Sequence, residues 1–242
     1  MIPYRMNPLG ISGVKSILGY APNAEAFWDG LNNVALGTFD TSATSWKDLT
    51  GNGYDLIKGG SNDPLWGSAG GLTGDGAFRG LYTANSPLES NFTVELVFVK
   101  PNTDNVWWWN NRNPWYSSAT RGIQCISYNT RNIYIDLIRG TSTVFETFAA
   151  TPTDPGKGVC SLVYDGASLK AFYNGTLYTF MSVVIDNEYI VSSPFHINGA
   201  RDPGLFSMQY AFYIYAVRVY RRALTAAELT KNYQLDASRF NL

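Results

Sequence analysis

The chain has 242 residues, of which 45% are hydrophobic and 15% aromatic, so it can bury a full core without metal ions or disulfides. Its 18 basic and 19 acidic residues give a formal net charge of -1, which excludes the basic footprint of a nucleic-acid-binding protein. One histidine, His196, and two cysteines, Cys125 and Cys160, are too few for a tetrahedral zinc site.

Residues 1–25 predict an extended N-terminal arm. Proline and glycine interrupt its short apolar stretches too often for a helix, and no alternating strand pattern is sustained. The same interruptions remove the continuous apolar stretch of a signal peptide, and no segment has the ~18 apolar residues of a transmembrane helix. We therefore expect a chain made in the cytoplasm without membrane insertion, with the arm docked on its own domain or on a neighbouring subunit.

Residues 26–242 predict a single all-β domain. The β-branched and aromatic run FTVELVFVK, at 92–100, is typical of a strand that is buried on both faces, and similar runs follow at the short intervals of a β-sandwich. Asn174-Gly175, between LKAFY and TLYTF, predicts a two-residue hairpin turn, because a type I′ turn requires positive φ at both central positions.

One helix is predicted, near the C-terminus. Thr225 followed three residues later by Glu228 matches a capping box, in which each residue satisfies a backbone N–H of the other. Leu224 and Leu229 occupy the two positions of a hydrophobic staple around the same helix start. The helix should therefore begin at Thr225.

The two cysteines lie in apolar, strand-like runs. Cys125 is part of GIQCISYN and Cys160 is part of GVCSLVYD. This setting favours two buried, reduced thiols, because free cysteine behaves as a small hydrophobic residue. A disulfide between neighbouring strands is the alternative.

Calcium is the one metal for which the sequence offers ligands, and no other cofactor is expected. The segment around Gly51 and Gly53 alternates oxygen-bearing side chains that suit a hard cation, although its spacing is not that of an EF-hand. The candidate ligands are Asp48, Asn52 and Asp55, with Thr50 between them. The favoured alternative is structural: the glycines supply turn conformations while the polar side chains bond local amides.

The most unusual segment is NVWWWNNRNPWYSS, which combines aromatic rings with amide and guanidinium groups. A sugar ring stacks on an aromatic face and needs fixed polar partners for its hydroxyls, so the segment is a candidate glycan site. The candidate residues are Trp107, Trp108, Trp109, Asn110, Asn111, Arg112, Trp115 and Tyr116. The alternatives are core packing, because strand alternation turns part of the segment inward, and a protein interface.

Three segments resemble the laminin-G-like, concanavalin A-like lectin/glucanase superfamily over about residues 26–240. They are SWKDLTGNGYDL at 45–56, LKAFYNGTLY at 169–178 and YAVRVYRRALTAAELTKNYQLDASRF at 215–240. The resemblance implies a jelly-roll sandwich of two antiparallel sheets, often with one concave face. The leading segment, FWDGLNNVALGTFDTSATSWKDLTGNG, is similar to versions carried by bacteriophage structural proteins.

Catalysis is not expected. Glycoside hydrolysis needs two carboxyl groups about 5 to 9.5 Å apart, and the E-x-D-x-x-E strand of the superfamily's glucanases is absent from this sequence. Asp186 and Glu188 fit a solvated turn, and Asp136 stands alone in its strand. His196 lies at a predicted strand end and fits a structural imidazole better than a catalytic triad.

These observations predict a non-enzymatic phage virion protein, such as a capsid decoration, head-fibre or tail adhesin, that binds a glycan or host surface. Its expected partners are other virion proteins or further copies of itself, together with a surface glycan. The expected location is the virion, assembled in the host cytoplasm. The alternatives are a bacterial carbohydrate-binding lectin module, at the cell surface or outside the cell, and a glycoside hydrolase of the same fold.

Overall fold

A computed structural model of the chain describes residues 17–58, 65–68, 70–73, 80–99, 106–111, 121–127, 132–139, 143–149, 151, 156–185, 194–197 and 213–242. Within these ranges the chain forms sixteen strands, a 3-10 helix at Gly30–Asn32 and the helix α1 at Ala226–Phe240. The first eight strands are β1 (Ala26–Asp29), β2 (Ser45–Trp46), β3 (Leu56–Lys58), β4 (Leu65–Trp66), β5 (Leu72–Thr73), β6 (Leu81–Tyr82), β7 (Phe92–Val99) and β8 (Val106–Asn110). The others are β9 (Arg121–Ser127), β10 (Ile133–Arg139), β11 (Thr143–Ala149), β12 (Lys157–Tyr164), β13 (Ser168–Tyr173), β14 (Thr176–Ser182), β15 (His196–Ile197) and β16 (Tyr213–Tyr220).

The strands form two antiparallel sheets. Sheet 1 has the order β14-β13-β12-β7-β16-β5-β4, with β1 also paired to β16. Sheet 2 has the order β11-β10-β9-β8-β15-β6-β3-β2. The predicted all-β sandwich of two antiparallel sheets with a C-terminal helix is confirmed.

The main core lies between the two sheets and follows the two-residue period of the strands. On β7, Phe92, Val94, Leu96 and Phe98 point into this core, while the residues between them point to the other face of sheet 1. Sheet 2 contributes side chains from β9 and β10 in the same alternation. They are Ile123, Cys125, Ile133, Ile135 and Leu137.

Both cysteines are buried, free thiols in this core. Cys125 enters the core from sheet 2 and Cys160 enters it from sheet 1. Burial raises the pKa of Cys125 well above its usual value, and it raises the pKa of Cys160 to about 12. The prediction of two reduced, buried thiols is confirmed, and the disulfide alternative is wrong.

The hairpin and helix signals are confirmed in detail. Asn174 and Gly175 have φ of 51° and 76° and connect β13 to β14. A Cβ on Gly175 would lie 2.8 Å from Cα of Thr230, so the turn packs closely against α1 and requires glycine. Thr225 is the N-cap of α1 and forms the capping box with Glu228.

Helix α1 and residues 17–24 cover the outer face of sheet 1. Tyr20 and Ala21 are only 2% and 3% exposed, and Tyr20 packs with Phe27 of β1 and Val97 of β7. The described end of the predicted arm therefore packs on its own domain. Residues 1–16 lie outside the described residues, so the docking of that part stays a prediction.

A buried ionic cluster joins α1 to sheet 1. Arg218 of β16 donates through Nε to Glu95 of β7 at 2.9 Å, and through its two terminal nitrogens to Asp236 of α1 at 2.9 and 2.5 Å. All three side chains are fully buried. Burial raises the pKa of Glu95, whereas the Asp236 and Glu95 carboxylates outweigh burial and hold the pKa of Arg218 well above its usual value.

Two neighbouring side chains complete this cluster. The Tyr20 hydroxyl donates to Asp236 at 2.6 Å, and the Arg218 guanidinium lies 4.2 Å from the centre of the Tyr20 ring. Asn232 of α1 donates to Glu95 at 2.7 Å and accepts from the Ala21 N–H at 2.8 Å. One set of polar contacts thus fixes the N-terminal segment, the helix and the sheet together.

Replacing Arg218 with methionine should strongly destabilise the fold. The variant Arg218→Met leaves Glu95 and Asp236 buried without their cation, and loss of one partner of a buried ion pair costs about 3 to 5 kcal/mol. The control Lys170→Met removes the exposed pair with Asp165 and should cost about 1 kcal/mol or less. Urea unfolding measures both values; similar losses in the two variants would contradict the role assigned to the cluster.

Acid should weaken the start of α1. A hydrogen bond from Arg222, together with bonds from Thr225, lowers the pKa of Glu228 from 4.5 to about 2. Because this folded-state pKa is depressed, its contribution to stability is present above pH 4.5 and is lost as the pH falls through about 2. Glu228 is partly exposed, so we expect a loss below about 1 kcal/mol.

The control for this acid effect is Glu228→Gln, which can keep the capping hydrogen bonds but cannot titrate in this range. Urea midpoints measured from pH 7 to pH 2 should fall less steeply for the variant than for the wild type. Equal slopes would mean that Glu228 contributes nothing to the acid sensitivity.

Candidate functional site

The tryptophan segment enters sheet 2 as β8, and its two central rings are core residues. Trp108 and Trp109 are 0% and 2% exposed; Trp108 lies 5.1 Å from the Phe98 ring, and Trp109 stacks on Phe195 at 5.4 Å. A register shift between Trp107 and Trp109 breaks the alternation of the strand, so both rings turn inward. The expectation that Trp108 and Trp109 contact a glycan is therefore wrong.

The polar end of the same segment also has a structural role. Asn111 is fully buried, and its side-chain oxygen accepts from the Ile123 N–H at 2.7 Å. This contact corrects the expectation of a glycan-binding Asn111, because the side chain is closed off from solvent. Arg112, Trp115 and Tyr116 lie outside the described residues, and for Trp107 and Asn110 the structure describes the backbone pairing.

A row of paired residues crosses sheet 2 on the face turned away from the core, and we call it the outer lane. Directly opposed residues of antiparallel strands lie on the same face of a sheet. The residues next in sequence to those of the row point into the core, so the row itself lies on the opposite face; these core residues are Leu81, Cys125, Ile135 and Ile197. The lane runs through β3, β6, β15, β8, β9 and β10. Its positions are Ile57, Tyr82, His196, Asn110, Gln124 and Asp136.

The side chains described in the outer lane combine aromatic and polar groups. The rings of Tyr82 and His196 are stacked, with centroids 5.8 Å apart. Further along, the Gln124 amide donates to the Asp136 carboxylate at 2.7 Å. The imidazole of His196 therefore lies beside the tyrosine ring, and the amide and carboxylate follow further along the row, beyond β8.

Exposure decreases steadily along the lane. Ile57 is 42% exposed and Tyr82 is half-buried, whereas His196, Gln124 and Asp136 are 4%, 3% and 1% exposed. The lane is thus open at its β3 and β6 end and closed at its β10 end. A ligand from solvent would meet Ile57, Tyr82 and the edge of His196 first, with Gln124 and Asp136 behind them.

Sequence reasoning did not bring these residues together. The sequence indicates a structural imidazole at His196 and a single outward-facing carboxylate at Asp136, and it offers no functional signal at Tyr82 or Gln124. The alternation of each strand could have placed Gln124 and Asp136 on the outward face. The pairing of β15 with both β6 and β8 has no comparable signal in the sequence.

The predicted calcium ligands lie in one loop, but hydrogen bonds occupy their oxygens. Asp48 accepts from the backbone N–H groups of Phe27, Thr50 and Tyr54 at 3.0 to 3.2 Å, and from the Thr50 hydroxyl at 2.7 and 2.8 Å. Asp48 therefore closes the loop in the way that the structural alternative predicts.

The other two candidate ligands have protein partners as well. Asp55 accepts from the Asp48 N–H at 3.0 Å and pairs with Lys47 at 2.5 Å. The Asn52 amide nitrogen donates to the Glu25 carbonyl at 2.8 Å. Across the described residues, no group of three or more His, Cys, Asp or Glu side chains is arranged to hold a metal ion.

The fold and the outer lane define the class of protein as a two-sheet β-sandwich with a polar outer face. No protein-family model and no curated protein matches the sequence. In the described part of the chain, no helix is long and apolar enough to cross a membrane.

Solved structures share the fold at low sequence identity. The binding domain of botulinum neurotoxin serotype D matches with a TM-score of 0.62 and 12% identity, over 88% of this chain and 51% of that one. The serotype D ligand-binding domain in complex with N-acetylneuraminic acid matches with a TM-score of 0.61 and 11% identity, over 88% of this chain and 50% of that one. Trypanosoma rangeli sialidase in complex with 2,3-difluorosialic acid matches with a TM-score of 0.59 and 13% identity, over 88% of this chain and 32% of that one.

These matches establish the β-sandwich fold. At sequence identities of 11 to 13%, they do not establish a shared function. The chain spans about half of the length of the neurotoxin domains and about a third of the sialidase. Neither the resemblance to laminin-G-like proteins nor the similarity to phage structural proteins is confirmed by a matching family.

The Asp48 loop should depend on its hydrogen bonds rather than on calcium. Asp48→Ala leaves several backbone N–H groups without their acceptor, and we expect a loss of about 2 to 4 kcal/mol in the free energy of unfolding. For the wild type, melting temperatures with EDTA and with added calcium should agree closely. A rise of several degrees with calcium, absent in Asn52→Ala, would instead identify a cation site.

Proposed function

We propose that this protein is a non-enzymatic carbohydrate-binding protein whose sugar contacts lie at the open end of the outer lane. The observation that carries the proposal is the open end of the row, where the half-buried Tyr82 ring stacks on the imidazole of His196. The bonded pair of Gln124 and Asp136 lies further along the same row, beyond β15 and β8. These groups lie on the face turned away from the core and become more exposed towards Ile57.

The chemistry of the lane suits a sugar. The C–H face of a sugar ring packs on an aromatic ring, and its hydroxyl groups need donors and acceptors that are already fixed in position. At the open end, the Tyr82 ring is held in position by its stacking on His196. Such pre-organised groups lose little conformational entropy when a ligand binds.

The structural neighbours support the same ligand class by analogy. One neurotoxin domain of this fold is solved with N-acetylneuraminic acid, and a sialidase of this fold is solved with a sialic acid derivative. Fold alone does not carry a function from one protein to another. The proposal for this chain therefore depends on Tyr82 and His196 and not on the likeness.

Binding is favoured over hydrolysis by the charges of the lane. A glycoside hydrolase needs one carboxyl group as acid and a second as nucleophile or base. Of the side chains described on this face, Asp136 supplies the one carboxylate, and it accepts a hydrogen bond from Gln124. Hydrolysis of a bound glycan is an outcome that the binding assay below would reveal.

The role in a phage virion is proposed from the sequence resemblance. The segment at 27–53 is similar to versions carried by bacteriophage structural proteins, and the proposed roles are capsid decoration, head-fibre or tail adhesin. A weak sugar site gains about 10² to 10⁴ in avidity when many copies are linked on one particle. Mass spectrometry of purified particles tests this context, and absence of the chain from them would favour a bacterial lectin module.

Tyr82→Ala should abolish glycan binding while leaving the fold intact. The experiment compares wild type and variant, each displayed in many copies, on a glycan array, together with their melting temperatures. The matched control is Tyr213→Ala, which removes another partly exposed tyrosine, 41% exposed, from sheet 1. Binding should change little with salt, because a net charge of -1 leaves little long-range attraction.

Four outcomes test this proposal. Loss of binding in Tyr82→Ala alone supports the outer lane. Loss in Trp115→Ala with binding retained in Tyr82→Ala would move the site to the predicted tryptophan segment. Failure of the wild type to bind any glycan would reject the carbohydrate-binding function, and glycan cleavage on the array would reject the non-enzymatic assignment.

A further inference from the structure

Strand β14 presents an exposed apolar edge. Among the strands that the structure describes, it is the terminal strand of sheet 1, and it pairs with β13 on one side. Three of its side chains are large, apolar and exposed: Leu177 at 49%, Tyr178 at 45% and Phe180 at 62%. Val184, just beyond the strand, is 77% exposed.

The sequence around this edge lacks the usual protection against pairing. Edge strands commonly carry lysine or proline, which prevents another strand from adding to the sheet. The segment GTLYTFMSVVI, at 175–185, contains no charged residue and no proline. Its one irregularity is a register shift at Tyr178, which bends the strand without adding charge.

The apolar side chains of β14 continue the helix side of sheet 1. Leu177 lies opposite Phe172, which packs with Leu229 of α1. Phe180 lies opposite Lys170, whose neighbours Leu169 and Ala171 face the core between the sheets. Because opposed residues share a face, Leu177 and Phe180 extend the packed surface under α1 to the edge of the sheet.

We propose that a second copy of this chain covers this edge, with the two β14 strands paired antiparallel around a two-fold axis near Phe180. Sheet 1 would then continue across both copies, and the outward N–H and C=O groups of each β14 would be paired. Phe180 of one copy would meet Phe180 of the other, and aromatic pairs across antiparallel strands stabilise such a sheet.

The absence of charge favours a second copy as the occupant. A two-fold contact brings the same surface of both copies together, so each charge on β14 would occur twice in one small interface and a charge near the axis would meet its own copy. The neutral segment at 175–185 pairs with itself at no such cost. An acidic or basic partner would find no complementary charge there.

The exposed area is also close to what a dimer needs. The exposed parts of Leu177, Tyr178, Phe180 and Val184 amount to roughly 500 Å² per copy. Complete burial of these side chains in both copies would remove at most about 1,000 Å² from solvent, and specific interfaces begin near 1,200 Å² in total, so backbone atoms of the paired strands would supply the remainder.

Sedimentation of wild type and Phe180→Lys tests the contact. The wild type should dimerise, and the variant should have a dissociation constant raised roughly tenfold or more, because it brings two positive charges together at the axis. The control is Leu36→Lys in the loop around Ala35 and Thr38, where Leu36 is 59% exposed. At protein concentrations where the wild type is monomeric, both variants should keep its melting temperature, since the replaced side chains are largely exposed.

Cross-linking then locates the axis. Phe180→Cys should form a covalent dimer on oxidation, whereas Leu36→Cys should not; the native cysteines contribute little background because they are 1% and 4% exposed. A wild type that stays monomeric at all concentrations would overturn the proposal. So would a dimer that Phe180→Lys leaves intact or that Phe180→Cys does not link.

Discussion

The arrangement of the molecule depends on one buried guanidinium. Arg218 lies between Glu95 and Asp236, and none of the three side chains is exposed. Removing such ions from water costs several kcal/mol each, and their mutual pairing offsets this cost. The pairing is complete only when α1 and Tyr20 lie on sheet 1. The cluster therefore holds the helix on the outer face of sheet 1. The outward face of sheet 2 is exposed to solvent at Ile57.

Local signals in the sequence were sufficient for most of the fold. The near-continuous apolar run at 92–99, the turn at Asn174-Gly175 and the capping box at Thr225 each act within a few residues, so the sequence alone could predict them. The interpretation of the Asp48 loop succeeded for the same reason, because an aspartate followed closely by glycines commonly bonds nearby amides.

Contacts between distant segments explain what could not be predicted. Simple alternation would turn Trp108 away from Trp109, but the register shift against β9 and the contact with Phe98 bring both rings into the core. The outer lane depends on β15 pairing between β6 and β8, which joins His196 to residues far away in the sequence. The partners of Arg218 come from β7 and α1. The apolar run at 92–100 indicates that Glu95 is buried, but no local signal identifies Arg218 as its partner or indicates that Asp236 is buried.

The two proposed surfaces do not compete for space on the molecule. The outer lane crosses the outward face of sheet 2, whereas β14 forms an edge of sheet 1. Pairing at that edge would leave both lanes of a dimer accessible. Because a half-buried site around one tyrosine offers little contact area, its affinity for a single sugar should be weak, and joining two or more sites would raise the effective affinity without any new contact. Self-association through β14 and sugar binding on sheet 2 would then reinforce each other through geometry alone, and neither needs a change of conformation in the sandwich.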